Sequence, residues 1–335
     1  MNKIIVYEPN WLGDVLFTSP ALRAIKEVYP ESHLACIAHP RTTDVLSCIP
    51  YVDEIIPFSE KGWIFHPSGV IKFIRSIKIA NYDIGILFHP SDSRALFLKL
   101  AGIKNLVGWK NSGVRSLLLD NPVEFEKDDR HRIDMYLSIV KPLGIAAEDK
   151  SYAFKVPDEA RRYIEVLLDG FKDYVVINPG GNWPAKRWPL ENYAQLAERI
   201  IDKLGLGIVI SGAQGDVWLA EKLYGMIRQD RIFIAAGKTT IRQLAALLEG
   251  ARAVISNDSG PLHIASAVNK NCIGVFGPTD PKITGLLSLN AVNLFAPPDD
   301  CRIPCYRANC AYDYKCIRSV SVEMVFNELS RILSV

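Results

Sequence analysis

Three short stretches of this chain carry side chains able to do chemistry, and each follows an apolar run that reads as a strand. The first is Glu8-Pro-Asn-Trp-Leu-Gly-Asp14. Asp14 stands near the start of a helix, where a carboxylate can simply cap free N–H groups. Facing a ligand, it can instead accept a proton from a sugar hydroxyl as a new bond forms. The second runs Asn178-Pro-Gly-Gly-Asn-Trp-Pro-Ala-Lys-Arg-Trp-Pro189. Gly180 and Gly181 let backbone N–H groups approach an anion closely, and Lys186 and Arg187 add two cations. That set suits a diphosphate whose charge must be stabilised as it leaves, ahead of a plain turn with solvated basic residues. The third, Asn257–Pro281, offers Asp258, Ser259, Gly260 and His263. Pro261 suits a first helical turn, and the N–H groups of that turn favour an anion. The next apolar run, Cys272–Phe276, ends at Gly277-Pro278-Thr279-Asp280. Two adjacent strand ends therefore finish in polar loops, which is where open α/β sheets bind ligands. Ser211–Asp216 and Ala236–Thr240 are weaker signals of the same kind. The latter holds Lys238, Thr239 and Thr240, with either threonine a natural helix cap.

These loops need a scaffold, and the hydrophobic pattern supplies one. Lys3–Glu8, His33–Ala38, Glu54–Phe58 and Tyr82–Phe88 read as strands, with helical periodicity between them, as at Pro20–Val28 and Gly69–Ile79. A helix over Ile133–Leu143 stops at Gly144, and Ile145–Pro157 reads as a connector. A second series has strands at Tyr174–Asn178, Gly207–Ser211, Arg231–Ala235, Ala253–Ser256 and Cys272–Phe276. Its helices are Leu190–Lys203, Val217–Ile227 and Ile241–Glu249, and a last helix covers about Val322–Leu333. Strand–helix alternation predicts parallel sheets covered on both faces. At 335 residues, two domains are the natural division, with a ligand cleft expected between them.

Bulk properties exclude more than they specify. The net charge of +2 points to no particular partner, with hydrophobic residues at 49% and charged residues at 23%. No apolar stretch approaches the ~20 residues of a membrane span. Ile4–Tyr7 is too short for the apolar core of a signal peptide and is followed at once by Glu8, so a cytoplasmic protein is expected. A dehydrogenase is disfavoured because no G-x-G-x-x-G follows the first strand. There is also no Walker A sequence and no Asp-x-Asp pair to hold a metal on a sugar nucleotide.

Two local features stand out. Between Lys61 and Leu118, nine Lys/Arg face only Asp83 and Asp92. Within that segment Lys72, Arg75 and Lys78 recur every three residues beside Ile71, Ile74 and Ile77, downstream of Trp63, Ile64 and Phe65. A solvated helix face accounts for this, as does contact with an acidic lipid surface or acidic acceptor. Four of the seven cysteines, Cys301, Cys305, Cys310 and Cys316, crowd the C-terminus without the paired CxxC of common zinc modules. A thiol-rich packed loop or disulfides formed on isolation is the plainer account; a zinc or iron–sulfur clip is the sharper one.

Taken together, NWLGDVLFTSPALRAIKEVYP, NPGGNWPAKRWP, NDSGPLHIASA and VFGPTDP resemble glycosyltransferase family nine, the ADP-heptose:lipopolysaccharide heptosyltransferases, over nearly the whole chain. HRIDMYLSIVKPLGI looks like that family's interdomain segment. PAKRWP and the cysteine-bearing tail look most like the second inner-core heptosyltransferase branch. The resemblance implies an α/β GT-B fold of two Rossmann-like parallel-sheet domains facing an interdomain cleft. Residues 1–155 would bind acceptor, residues 156–318 the ADP-sugar, and a C-terminal helix in 319–335 would pack back on the first domain.

It further implies inverting, metal-independent transfer of L-glycero-D-manno-heptose from ADP-heptose to a heptosyl-Kdo-lipid A inner core. Asp14 matches the base position and Lys186 the phosphate-contacting lysine, the two expected catalytic residues. Gly180, Gly181, Asn182, Lys186, Arg187, Lys238, Thr239, Asp258, Ser259, Gly260 and His263 would hold the donor. Gly181 and Asn182 fall where some relatives carry hydroxyl residues, so backbone N–H groups must do more in this chain. Asn10, Trp11, Gly13, Lys72, Arg75 and Arg94 would meet the acceptor. No metal cofactor and no nucleic acid are expected, and the protein would be a monomer associated peripherally with the inner face of the inner membrane. A family member using another nucleotide sugar or acceptor, or a non-catalytic nucleotide-sugar-binding protein, are the alternatives.

Overall fold

The structure is a computed structural model; it describes residues 2–60, 67–110, 113–124, 130–269, 271–305 and 310–334. Lys61, Trp63, Ile64 and Phe65 of the basic segment lie outside the described residues. The chain divides into two compact units, Met1–Lys155 and Val156–Val335.

In the first unit the strands are β1 (Lys3–Tyr7), β2 (His33–Ala38), β3 (Glu54–Pro57), β4 (Ile84–Leu87), β5 (Asn105–Trp109) and β6 (Asn121–Val123). The helices are α1 (Leu12–Val28), α2 (Thr43–Leu46), α3 (Pro67–Ala80), α4 (Asp92–Leu100), α5 (Arg115–Leu118) and α6 (Arg132–Val140). All six strands are parallel, in the order β3-β2-β1-β4-β5-β6. Val6 pairs with Cys36 on one side and Ile86 on the other. The central strands are near-continuous apolar runs because helices cover both faces, and Ile4, Ile5 and Val6 are fully buried. Each such side chain contributes roughly 1.5–3 kcal/mol by leaving water.

The helix expected from Pro20 begins eight residues earlier, at Leu12, and runs through the proline. Pro20 cannot donate to the Leu16 carbonyl four residues back, which would leave that oxygen unpaired. The Ser19 hydroxyl donates to it instead at 2.7 Å, so the helix continues. Ser19 Oγ also accepts from Ala153 N at 3.1 Å. Arg23 ties the same connector through Asp149 O and Ser151 Oγ, so its Asp149–Ala153 stretch is pinned to the first unit.

In the second unit the strands are β7 (Tyr174–Asn178), β8 (Gly207–Ile210), β9 (Ile232–Ile234), β10 (Ala253–Asn257), β11 (Cys272–Val275) and β12 (Val292–Leu294). The helices are α7 (Asp158–Leu168), α8 (Leu190–Leu204), α9 (Val217–Tyr224), α10 (Ile241–Glu249), α11 (Gly260–Val268), α12 (Pro281–Thr284), α13 (Lys315–Arg318) and α14 (Val322–Leu333). The sheet is again parallel, in the order β12-β11-β10-β7-β8-β9. In each sheet the crossovers run in opposite directions from a central pair, β1/β4 in the first and β7/β10 in the second. Those pairs are the topological switch points, outside whose carboxyl ends such sheets bind ligands.

The last helix departs from expectation. α14 buries Val325, Phe326 and Leu329 in the core of the second unit, against α8, β11 and β12. Arg199 fixes it, pairing with Glu323 and placing its guanidinium 4.0 Å from the centre of the Phe326 ring. Trp188 Nε1 donates to Val320 O at 2.8 Å just before the helix. These apolar partners are spread over α8 and two strands, so the sequence of α14 alone does not reveal which domain receives it.

Candidate active site

In the first unit, Asp14 is the third residue of α1 and lies in the first turn, where its charge complements the helix N-terminus. Tyr136 of α6 donates to Asp14 Oδ1 at 3.4 Å. Burial, together with the neighbouring Asp14 charge, pushes the Tyr136 phenol well above its ordinary range, so it stays a donor. Trp109 stacks on Tyr136 at 5.4 Å and Phe88 meets it edge-on at 5.5 Å. The two rings therefore fix the hydroxyl toward the carboxylate. A second carboxyl lies behind the loop. Glu8 is fully buried, accepts from Thr18 Oγ1 at 2.8 Å, and is pushed by burial up to about 8. Glu8 therefore stays largely protonated near neutral pH.

Around Asp14 opens a cavity of about 600 Å³. The loop after β1 supplies Asn10 and Trp11, the loop after β4 supplies Phe88 and His89, and the end of β5 supplies Trp109 and Lys110. Arg115, Arg132 and Tyr136 complete the wall. Arg41 braces the rim, donating to Asn10 O at 2.7 Å and lying 4.1 Å over the Trp11 ring. Gly13 is the second residue of α1.

The remaining residues expected to meet an acceptor divide. Arg94 is only 3% exposed, and its guanidinium donates to Glu60, the Glu8 carbonyl and Asn10 Oδ1. It holds the loop after β1 in shape, with Nε, Nη1 and Nη2 each bonded within the protein. Lys72 and Arg75 sit on the exposed face of α3 and do not line the cavity. Sequence reading missed Arg41, His89, Trp109, Lys110, Arg115, Arg132 and Tyr136. They come from five separate segments, and only the sheet brings them together.

In the second unit, three loops meet at the β7/β10 switch point. Lys186 Nζ lies 2.6 Å from Asp258 Oδ2, and Thr279 Oγ1 donates to the same oxygen at 2.7 Å. His263 Nε2 stands 3.7 Å from Oδ1. Burial opposes the Asp258 charge, but the His263 and Lys186 contacts outweigh it and hold the carboxyl well below the usual carboxylate range. Asp258 thus has Lys186, Thr279 and His263 as protein partners, and its carboxylate positions the Lys186 ammonium.

One residue earlier, Asn257 uses its whole amide. Its Oδ1 accepts from Trp188 N at 2.9 Å and Tyr193 Oη at 3.0 Å. Its Nδ2 donates to Pro179 O at 2.9 Å and Gly180 O at 3.0 Å. The Gly180-Gly181 turn is thereby tied to the strand carrying Asp258. A Cβ at 180 would lie 2.9 Å from Asp216 Oδ2 and would displace that carboxylate, whose oxygen accepts from Ala213 N at 3.1 Å. Arg187 Nε donates to Gly181 O at 2.9 Å and so stiffens the turn it follows.

Ser259 is the N-cap of α11, with Oγ 3.3 Å from Ser256 Oγ, and Gly260 opens the helix. Thr240, not Thr239, caps α10 through a capping box with Gln243. That leaves Thr239 and the exposed Lys238 on the adjacent loop, which is held by Gly237 N donating to Gly212 O at 3.0 Å. All seven cysteines are free thiols. The four tail cysteines line one cavity of about 470 Å³ with Ala185 and Pro278. Cys305 N donates to Pro278 O at 3.0 Å. Among the described residues, no three His, Cys, Asp or Glu side chains form a group able to hold a metal.

Comparison with known proteins places this geometry. Residues 70–315 match the family model for glycosyltransferase family 9 (heptosyltransferase). The chain is 27% identical to lipopolysaccharide heptosyltransferase 2 of Escherichia coli (strain K12) over 302 residues, covering 86% of each. It is 29% identical to lipooligosaccharide heptosyltransferase 2 of Haemophilus ducreyi over 307 residues, covering 87% of each. The solved structure of E. coli ADP-heptose LPS heptosyltransferase II superposes with a TM-score of 0.84 at 23% identity, covering 99% of this chain and 98% of that one. With two parallel Rossmann-like sheets in the GT-B manner, this chain belongs to glycosyltransferase family 9, the heptosyltransferases.

Proposed function

We propose that the protein transfers L-glycero-D-manno-heptose from ADP-heptose, with inversion, to the heptosyl-Kdo-lipid A inner core of lipopolysaccharide. One observation carries the reading. In this family-9 chain Asp14 follows the switch-point strand β1 of one unit, and the Lys186–Asp258 clasp stands at the switch point of the other. The relatives named heptosyltransferase 2 support the donor and acceptor class.

The chemistry follows from the side chains. An acceptor hydroxyl beside Asp14 attacks the anomeric carbon of the heptose, and its proton passes to the Asp14 carboxylate. The bond from that carbon to the diphosphate oxygen breaks, and its electrons leave with ADP. Lys186, Arg187 and the N–H groups at the start of α11 stabilise the growing diphosphate charge. Gly181 and Asn182 after β7, Ser259 and Gly260 after β10, and Lys238 and Thr239 after β9 are the residues assigned to hold the donor. Tyr136 orients Asp14, and Asn10 and Trp11 flank the acceptor.

The protein works at the inner face of the inner membrane, bound peripherally through α3. Ile79 is 85% exposed and Ile71 47%, flanked by exposed Lys72, Arg75 and Lys78. Apolar and basic groups on one helix face suit an anionic lipid surface. Among the described residues no helix is long and apolar enough to cross a membrane.

The test is acceptor-dependent release of ADP. Purified protein is mixed with ADP-heptose and a heptosyl-Kdo-lipid A-type acceptor, with parallel mixtures of other nucleotide sugars. Release with ADP-heptose only when acceptor is present supports the reading. Release with a different nucleotide sugar moves the protein to another donor within the family. Binding without release makes it a non-catalytic binder.

A further inference from the structure

The cysteines of this chain fall into two groups. Cys36, Cys48 and Cys272 are buried, as a cysteine used as a small apolar side chain ordinarily is. The four tail cysteines are placed differently. Cys301, Cys305 and Cys310 are half-buried, all four thiols are free, and together with Cys316 they line one cavity of about 470 Å³. The transfer chemistry assigned to the protein uses none of them.

The thiols are close enough to act on one another. Burial pushes the Cys301 thiol up; Asp300 and then Cys310 add to the effect, Lys315 opposes it, and Cys305 adds least. Burial pushes Cys316 up to about 11, and there Cys301 is the next cause. Cys301 is thus the centre of the cluster, and Cys310 is the thiol that acts on it most. Tyr312 N donates to Cys310 Sγ at 3.3 Å and holds that sulfur in place. Among the described residues no three such side chains form a group able to hold a metal, whereas a disulfide needs only two.

The same cavity backs onto the donor clasp. Its wall includes Ala185 and Pro278, which directly precede Lys186 and Thr279 in the chain. Lys186 and Thr279 are the two side chains that meet Asp258 Oδ2. Cys305 N donates to Pro278 O at 3.0 Å. Helix α13 packs so tightly behind this loop that a Cβ on Gly277 would stand 2.8 Å from Ile317 Cβ. Between Cys310 and Cys316, Asp313 and Tyr314 hold φ angles of 49° and 55°, a left-handed backbone that strains a side chain as bulky as tyrosine. A shift of the tail therefore reaches the loops that aim the Lys186 ammonium.

We propose that Cys301 and Cys310 form a redox-modification site, oxidised to an intramolecular disulfide by a small-molecule disulfide, and that this bond weakens donor binding through the Pro278–Thr279 loop. Its effect on the donor rests on the reading of the Lys186–Asp258 clasp as the donor site; the bond itself does not. The thiolate of one cysteine attacks a sulfur of the oxidant RSSR, giving protein–S–S–R and RS⁻. The second cysteine, also as its thiolate, attacks the protein-borne sulfur and expels a second RS⁻. The two protons given up by the cysteines end on the released RSH molecules. Two protein thiols are oxidised, and one small disulfide is reduced to two thiols. The raised Cys301 thiol slows the exchange near neutral pH, and mildly alkaline solution speeds it.

The experiment treats the full chain, purified with reductant, with oxidised glutathione. Wild type, Cys301→Ser and Cys310→Ser are compared, and peptide mapping by mass spectrometry locates every disulfide. The expected product in wild type is the Cys301–Cys310 bond, reversed by dithiothreitol. Calorimetry should show the ADP Kd raised about fivefold in the oxidised protein and restored on reduction. Both variants should bind ADP as reduced wild type does, before and after the oxidant.

Glutathione adducts alone, or a disulfide between other cysteines, would overturn the proposal. So would a Cys301–Cys310 bond that leaves ADP affinity unchanged. If reduced wild type does not bind ADP at all, the donor reading fails on its own. The coupling is then read by amide hydrogen exchange at Thr279 and Asp280. Faster exchange in the oxidised protein, absent in Cys301→Ser, sustains the site, and equal exchange overturns it.

Discussion

Lys186 Nζ and Asp258 Oδ2 lie 2.6 Å apart, joining loops 72 residues distant in sequence across the β7/β10 switch point. The contact converts two separate motifs into one unit. The ammonium that would meet a leaving diphosphate is aimed by a carboxylate that is itself buried and held by Thr279 and His263. Loss of either partner therefore disturbs more than charge.

Lys186→Met leaves the Asp258 carboxylate buried without the Lys186 ammonium. Removing one partner of a buried pair costs about 3–5 kcal/mol, and the lower end applies because the Lys186 side chain is 22% exposed. Denaturant unfolding should show that loss, and calorimetry should show weaker ADP binding. In a double-mutant cycle with Asp258→Asn, the two losses should fall short of additive by about 1–3 kcal/mol. Strict additivity with unchanged ADP affinity would separate the pair from donor binding.

Asn257 makes four hydrogen bonds with one amide. Asn257→Asp keeps the shape and replaces both donors with a second acceptor facing the Pro179 and Gly180 carbonyls. A loss of about 2–4 kcal/mol is expected, with the ADP-heptose KM raised more than that of the acceptor. Equal effects on both substrates would show that the Gly180-Gly181 turn does not depend on this clasp.

Glu8 gives a pH signature with a definite sign. Its pKa is raised from 4.5 to about 8 by burial, so the folded chain holds this proton more tightly than the unfolded one. Its contribution to stability is fully present below about pH 4.5 and is lost as pH rises through 8. Glu8→Gln has nothing to ionise. Relative to wild type it should gain stability steadily from pH 5 to 8 and level off above, with a ceiling of about 5 kcal/mol. A difference between the two proteins that stays flat across pH 5–9 would mean Glu8 titrates normally.

Membrane attachment through α3 predicts a charge-dependent partition. Replacing Lys72, Arg75 and Lys78 together by Gln should lower binding to anionic vesicles by on the order of 100-fold, at about 1 kcal/mol per basic residue. Binding to zwitterionic vesicles should hardly change. Cosedimentation of the triple variant at the wild-type level would remove α3 from the membrane contact.

Much of this was legible in the chain because strand ends that bind ligands carry their own composition. Gly, Pro, Asp and hydroxyl residues follow β1, β7, β10 and β11, and the parallel strands are continuous apolar runs. β5, β6 and β12 were not read from the sequence: β6 and β12 are three residues each, Pro122 sits inside β6, and β5 begins on a polar residue and contains Gly108. The basic segment exposed the deeper limit. Arg94 and Arg115 look alike as letters, yet one braces a loop through three side-chain bonds and the other, among the described residues, makes one long bond to the Leu87 carbonyl. Partner geometry separates them, and that is set by tertiary packing. Tyr136 was equally invisible, since its link to Asp14 spans 122 residues.

The central claim is that Asp14 removes the acceptor proton during sugar transfer. Its most direct test is single-turnover transfer from pre-bound ADP-heptose in wild type and Asp14→Asn, with ADP affinity measured alongside. The expected result is a folded variant with wild-type ADP affinity and a transfer rate reduced about 10²–10⁴-fold. Transfer at the wild-type rate in Asp14→Asn would contradict the account and place the base elsewhere.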